Sequence, residues 1–434
     1  MPKVLFLRVV LVALALTVGT VAHSFAQEIA PTGEYKEGVV AGAWTLFPKI
    51  SVGGIYDSNI NQSAVNVSSG GGLRVVPYLS GLYDGGIHKA TVYGVVDGRF
   101  VDQDQIAATA GFSYTYEAMR DLIFNFTGNY TRQTDVFNSA LNYNNGAIGP
   151  AGANTNIPIV LNPFGTTPGV NPIPYNQFTG GASVTKTFDQ VFVTLSGTAF
   201  YLAYDHSTDI PPPFQTSNNA GSVWLSGRVG YNVMPALYIF TEGAGVFNRF
   251  QNSLFDTNGY RVIGGLGSSD PNSLFRGEIY GGYQFQHQDQ QDLTGSDIIP
   301  TNVGSGVFGG RISYYPTRYW TLVASIDESL GISTSLAPNI PQGVPTRVTT
   351  AILQMNYGLS RTWSVGVRGG YTRGEFIGVS GLNNDGWLAG ASFNYEIWRN
   401  LLLTLDYQYT TVRSDAPLSD FTRSLVTAGL TYKY

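Results

Sequence analysis

The sequence predicts an all-β chain, a transmembrane antiparallel up-and-down β-barrel of about 18 strands with short periplasmic turns and long extracellular loops. Three observations carry that prediction. From Trp44 onward one unit recurs: a run of alternating apolar and polar residues, a tight turn, a second such run, then a longer polar connection. The chain ends on such a run, Thr427-Ala428-Gly429-Leu430-Thr431-Tyr432-Lys433-Tyr434. It begins with Lys3 and Arg8 followed by an apolar stretch over residues 9–21 and the small-x-small triplet Ser24-Phe25-Ala26.

The N-terminal stretch reads as a secretory signal over residues 1–26, cut after Ala26. It is too short for a spanning helix, which needs about 20 apolar residues. Residues 27–43 are then a short periplasmic segment, and the barrel occupies 44–434. The chain contains no cysteine, so an exported protein of this size has no disulfide staples and is stabilised by burial, by lipid or by ring closure. Of the 24 basic residues the signal removes two, leaving 22 against 29 acidic and a formal charge of −7. That balance argues against nucleic acid as a partner, because phosphate binding depends on clustered Lys and Arg.

The repeating unit gives short turns at residues 84–88, 118–121, 188–190, 234–236, 268–272, 316–318, 360–362 and 398–400. Nine longer connections lie between them. An even strand number puts both ends of the wall on one side of the membrane. Period-two alternation is plain where Trp387, Ala389, Ala391, Phe393, Tyr395 and Ile397 share one face against Ser392, Asn394 and Glu396. It is equally plain where Leu401, Leu403, Leu405, Tyr407 and Tyr409 oppose Thr404, Asp406 and Gln408, and where Trp363, Val365, Val367 and Tyr371 oppose Ser364 and Arg368. A helix would bring residues three and four apart together and scramble these sets. The runs are about twice the five or six residues of an average globular strand. They match the roughly 9 to 11 that a tilted strand needs to cross hydrocarbon. In lipid such strands must close into a ring, since every backbone group has to be paired.

Tyr and Trp gather at strand ends, including Trp44, Tyr56, Tyr78, Tyr114, Tyr231, Tyr238, Trp320, Tyr357 and Trp363, as an interfacial girdle requires. In the last strand Val426, Ala428, Leu430, Tyr432 and Tyr434 share the lipid-facing side. This ending, with Gly429, Leu430, Tyr432 and Tyr434, resembles the C-terminal insertion signal of bacterial outer-membrane barrels, although a final Tyr replaces the commoner Phe. The implied destination is the cell outer membrane. The implied partners are its lipid and lipopolysaccharide and the barrel-assembly machinery, with the last strand pairing to the first near residues 50–56.

The stretch Trp44-Thr45-Leu46-Phe47-Pro48-Lys49-Ile50-Ser51-Val52-Gly53-Gly54-Ile55-Tyr56-Asp57-Ser58-Asn59-Ile60 resembles the opening strand of the putative beta-barrel porin 2 family. The resemblance implies an exported outer-membrane barrel with porin-like location, in a family often associated with surface polysaccharide systems. It transfers no catalytic motif.

With apolar faces toward lipid, the inward face collects Asp97, Arg99, Arg228, Arg276, Glu278, Arg311, Asp327, Arg368, Glu396 and Asp406. Among them lie neutral groups such as Thr194, Ser196, Thr198, Gln284, Ser325, Gln354, Asn356 and Gln408. A wall carrying both signs of charge suits water and small hydrophilic solutes. The expected function is passive diffusion of such solutes; the alternatives are a conduit or accessory barrel for exopolysaccharide export and a non-conducting structural barrel. Most aromatics fall on outward faces, which favours a general pore over a sugar track. The connection over 134–175, long and poor in charge, is expected to fold into or over the mouth.

No cofactor and no catalytic role are expected. The chain lacks metalloprotease, nucleophile-elbow and phosphate-loop motifs. The triplet Asp205-His206-Ser207 places carboxylate beside imidazole, but neighbouring residues of a strand face opposite ways and the following Pro211-Pro212-Pro213 marks a loop. The loop carboxylates Asp289, Asp292 and Asp297 read as solvated surface.

Overall fold

A computed structural model describes residues 38–102, 104–133, 173–205, 219–234, 236–251, 253, 256–268, 273–288, 302–317, 319–332, 344–378, 382–415 and 419–434. The expected signal peptide, most of the 134–175 connection, His206 and the acidic residues at 289, 292 and 297 lie outside them.

The wall is a closed ring of eighteen antiparallel strands. A three-residue β1 (Val39–Ala41) precedes β2 (Trp44–Asp57), β3 (Gly70–Asp84), β4 (His88–Phe100), β5 (Gln105–Met119), β6 (Leu122–Gln133) and β7 (Tyr175–Phe188). The wall continues through β8 (Val191–Tyr204), β9 (Ala220–Met234), β10 (Leu237–Phe250), β11 (Thr257–Ser268), β12 (Phe275–Gln288) and β13 (Asn302–Thr317). It is completed by β14 (Trp320–Ile332), β15 (Pro345–Gly358), β16 (Trp363–Phe376), β17 (Asn383–Trp398), β18 (Leu401–Ser414) and β19 (Phe421–Lys433). Each of β2 to β19 pairs with its sequence neighbours, and β19 closes on β2. All eight expected short turns fall between consecutive strands at one rim, and the longer connections fall at the other.

Alternation sorts the faces. On β19, Val426, Leu430 and Tyr432 point outward and are exposed, whereas Arg423, Thr427 and Thr431 point inward and are buried. The same holds for outward Leu405, Tyr407 and Tyr409 on β18 and outward Trp387 on β17. Exposed apolar rings and aliphatic chains on every strand make sense only against lipid. Among the described residues no helix is long and apolar enough to cross a membrane.

The closing seam runs from Leu425 opposite Asp57 to Lys433 opposite Lys49, the pairing expected from the sequence. Below it β19 no longer pairs with β2, whose lower part would show a bare edge. β1 fills that edge: Val39, Val40 and Ala41 pair with Leu46, Thr45 and Trp44, continuing the line of β19. The turn between β1 and β2 uses Gly42 at φ +66°. Pro48 sits at the junction. Its carbonyl accepts from the Tyr434 amide at 3.2 Å. Both backbone groups of a residue in an antiparallel strand point the same way, so the missing Pro N–H falls where β19 stops and β1 has not begun. The residues just before Trp44, expected as periplasmic tail, are thus partly strand.

Candidate functional site

All ten charged residues assigned to the inward face lie on one side of the sheet. Contacts between strands that are not neighbours identify that side as the lumen. Arg228 on β9 donates from Nε to Glu242 Oε2 on β10 and from Nη1 to Glu278 Oε1 on β12, each at 2.8 Å, passing over β11. Tyr238 donates to the same Glu278 oxygen at 2.5 Å. Further up, Tyr280 donates to Asp327 on β14, and the Arg261 guanidinium lies 4.9 Å from the Tyr280 ring centre. Arg276 stacks over Tyr315 at 4.6 Å. Arg311 stands opposite both Glu278 and Ser325 in the ladders.

The opposite wall is more open. Arg74 on β3 donates to both oxygens of Asp97 at 2.8 and 3.1 Å, and Arg99 donates from Nη2 to Asp97 Oδ2 at 2.9 Å. Two guanidiniums on one carboxylate leave a net positive charge. Arg368 holds Asp406 through two bonds of 2.7 and 2.8 Å and reaches Gln408 at 3.1 Å. Glu396 stands at the lower end of β17, beside the irregular pairing between Glu396 and Trp398.

Exposure differs among the inward charges. The Arg228 side chain is 1% exposed, against 33% for Arg74 and 30% for Arg368. Gln284 and Arg261 are closed off as well. Arg74 and Arg368 therefore keep part of their surface open to the lumen, while Arg228, Arg261 and Gln284, and the Asp57–Arg423 pair at the closing seam, are packed. The packing is aromatic: Tyr175, Phe200, Leu202, Trp224, Ala244 and Val246 form an upper cluster, and Phe192, Tyr238, Phe240, Ile263 and Val307 a lower one.

Most aromatics face outward as expected, but not all of those assigned to the girdle do. Tyr78 and Tyr238, assigned to the outer girdle, both face inward, and Tyr238 is only 3% exposed. Sequence parity fails there because Val76-Pro77-Tyr78-Leu79 and Tyr238-Ile239-Phe240 are apolar on both faces. Only the ladder register decides.

A second feature closes the packed side further. β13 and β14 pair up to Phe308 opposite Glu328 and no higher. Above that level β14 and β15 stay paired to each other, through Leu330 opposite Arg347 and Ile332 opposite Pro345. Leu330 presents its backbone to a side chain: Gln284 of β12 donates from Nε2 to the Leu330 carbonyl at 2.9 Å and accepts from its amide at 3.4 Å. Gln286 also donates to that carbonyl, at 3.2 Å. Arg347 reaches Ser305 on β13, its Nε 3.1 Å from Oγ. Gln284 and Ser305 are inward positions, whereas the alternation of β14 and β15 makes Leu330 and Arg347 outward ones. These contacts require the wall to part between β13 and β14 at this level, with the upper β14–β15 hairpin, still laddered to β16, leaning inside the inner surface of β12 and β13. Leu330, fully buried, is pressed against the inner surface of the neighbouring strands.

Residues that sequence reasoning passed over include Arg74, Glu242, Arg261, Gln286 and the Asp57–Arg423 pair. Each follows the inward parity of its strand, so extending the alternation along β2, β3, β10, β11, β12 and β19 would have reached them. Asp205, considered as an acid beside His206, is engaged by Arg132 and by Asn176 Nδ2, the latter at 2.9 Å. That ties the tops of β6, β7 and β8 together. Among the described residues no group of three potential metal ligands converges.

No curated protein matches the chain. In solved structures it is similar to the outer membrane protein opdK from Pseudomonas aeruginosa, at 11% identity and a TM-score of 0.42, covering 90% of this chain and 99% of that one. It is also similar to a BenF-like porin from Pseudomonas fluorescens, at 11% identity and a TM-score of 0.41, covering 90% and 98%. A third is an anion-selective porin from Comamonas acidovorans, at 11% identity and a TM-score of 0.35, covering 90% and 99%. The family model described as putative beta-barrel porin 2 matches residues 162–434, well over half of the sequence, and the chain belongs to that family.

Proposed function

We propose that the protein is an outer-membrane channel for passive diffusion of small hydrophilic solutes. The observation that carries this reading is the set of charged residues on the inner face, Arg74, Asp97, Arg99, Arg368 and Asp406, that remain partly exposed beside neutral polar groups. An eighteen-strand ring is wide enough to keep an aqueous path alongside a packed sector. Ion pairs that leave a guanidinium or carboxylate edge in water favour hydrated solutes of either sign over apolar ones. The apolar outer belt, the N-terminal export signal and the C-terminal strand ending on Tyr434 support insertion into the outer membrane among lipid and lipopolysaccharide, through the barrel-assembly machinery.

A second reading, a conduit or accessory for exopolysaccharide, draws on the inward aromatics of β7 to β10. Those rings are buried against one another, Tyr175 at 0% and Phe200 at 3% exposure, so they fill the wall and offer no sugar-stacking face. Proteoliposome swelling with sugars of increasing size tests the first reading. Swelling should occur with monosaccharides and fade with oligosaccharides. Equal absence of swelling for all sugars, from protein shown to be folded, would overturn it.

A further inference from the structure

We infer that Gln284 is the positioning residue that holds the upper β14–β15 hairpin inside the lumen and so sets the bore of the channel. This rests on the passive-channel reading above. A strand leaning out of its sheet exposes backbone donors and acceptors that must find partners. At Leu330 both are taken by one amide side chain, donor to carbonyl and acceptor to amide, which copies the pairing that β13 supplies lower down. A primary amide is the side chain that can do this, since it carries a donor and an acceptor at one tip. Gln284 itself is fully buried and comes from β12, one strand beyond the missing neighbour. Gln286 adds a second donor to the same carbonyl, and Arg347 pins the returning strand to Ser305. These contacts run between the inner wall of β12–β13 and the hairpin, and Arg347 also pairs with Glu375 of β16 at 3.3 Å. On its β13 side the hairpin is held by side chains above Phe308, whereas on the other side β15 keeps its ladder with β16 up to Thr346 opposite Phe376.

The chain has no cysteine, so introduced thiols report on one site only. In a Ser305→Cys/Arg347→Cys variant, a bifunctional thiol reagent about as long as an arginine side chain should join the two positions in the folded barrel. A hairpin standing upright in the wall would put them on opposite faces of the sheet, beyond such a reagent. Adding Gln284→Met, which keeps length and volume and removes both hydrogen bonds, should lower the cross-linking yield. On the cysteine-free background, Gln284→Met should shift single-channel conductance upward and admit larger polyethylene glycols, with heat-dependent gel mobility unchanged. Failure of the cysteine pair to cross-link overturns the in-leaning hairpin itself, whatever the conductance. Cross-linking that is unaffected by Gln284→Met overturns Gln284 as its holder. Lower cross-linking with unchanged conductance overturns its role in setting the bore. Absence of any current from both proteins overturns the channel reading and the bore-setting role with it, while the cross-link still reports where the hairpin lies.

Discussion

Asp57 and Arg423 meet across the closing seam of the barrel: Arg423 Nη2 lies 2.6 Å from Asp57 Oδ2, and its Nε lies 3.0 Å from each carboxylate oxygen. The two are 366 residues apart in the chain and belong to the first and last wall strands. Asp57 also accepts from the Asn59 amide at 3.0 Å, so the carboxylate is oriented from two directions. Both side chains are almost fully buried.

The cost of losing one partner should follow from that burial. Removing one member of a buried pair leaves the other uncompensated, at about 3–5 kcal/mol. Asp57→Ala should therefore lower the temperature at which the folded gel band is lost, whereas the paired replacement Asp57→Leu/Arg423→Met should recover most of the difference. A double variant as unstable as the single one would mean that the charges themselves, rather than the stranded arginine, matter at the seam.

Lower on the same seam Gly53 stands opposite Gly429. A Cβ on Gly53 would come within 2.2 Å of the Ala428 carbonyl oxygen and 2.5 Å of the Gly429 Cα. The neighbouring Gly54 points outward and has open space around its Cβ position. Gly53→Ala should slow closure and reduce the folded fraction in refolding into detergent or lipid, and Gly54→Ala should fold normally. The pair also accounts for Gly429 within the C-terminal motif, as a close backbone approach rather than a flexible point.

Lipid-facing and lumen-facing positions should answer differently to charge. Leu405, outward and 42% exposed, and Thr404, its inward neighbour, are adjacent in β18. Arg on the lipid face near the bilayer centre costs about 2–4 kcal/mol. Leu405→Arg should destabilise the barrel by an amount in that range in urea titrations, and Thr404→Arg by much less.

The positive excess at Arg74–Asp97–Arg99 should bias ion passage. Arg99→Glu changes that cluster from a net charge of +1 to −1 on the inner face. The reversal potential under a salt gradient should move toward cation preference, with the folded mobility retained. Arg228→Gln, in the packed sector, should move it far less.

The alternation that predicts strands also predicts the barrel, because it persists through eighteen segments and each short turn fixes the register of the next pair. Strand number, turn positions and the closure of β19 on β2 were legible for that reason. Where both faces of a strand are apolar, as around Tyr78 and Tyr238, parity carries no signal and the outer girdle was overfilled. The lean of β14 and β15 was not legible either. Leu330 and Arg347 keep a regular alternation, and the event that moves them is the loss of pairing to β13, answered by a side chain 46 residues away from Leu330. The constriction expected from 134–175 concerns residues that mostly lie outside the described ones; the one proposed above comes from a different hairpin.

The central claim, an open passive channel, is tested most directly by inserting the refolded protein into planar bilayers in molar salt. Discrete current steps, linear with voltage and unaffected by removing any energy source, are the expected result. Bilayers that contain heat-modifiable, protease-resistant barrel and carry no current would contradict it.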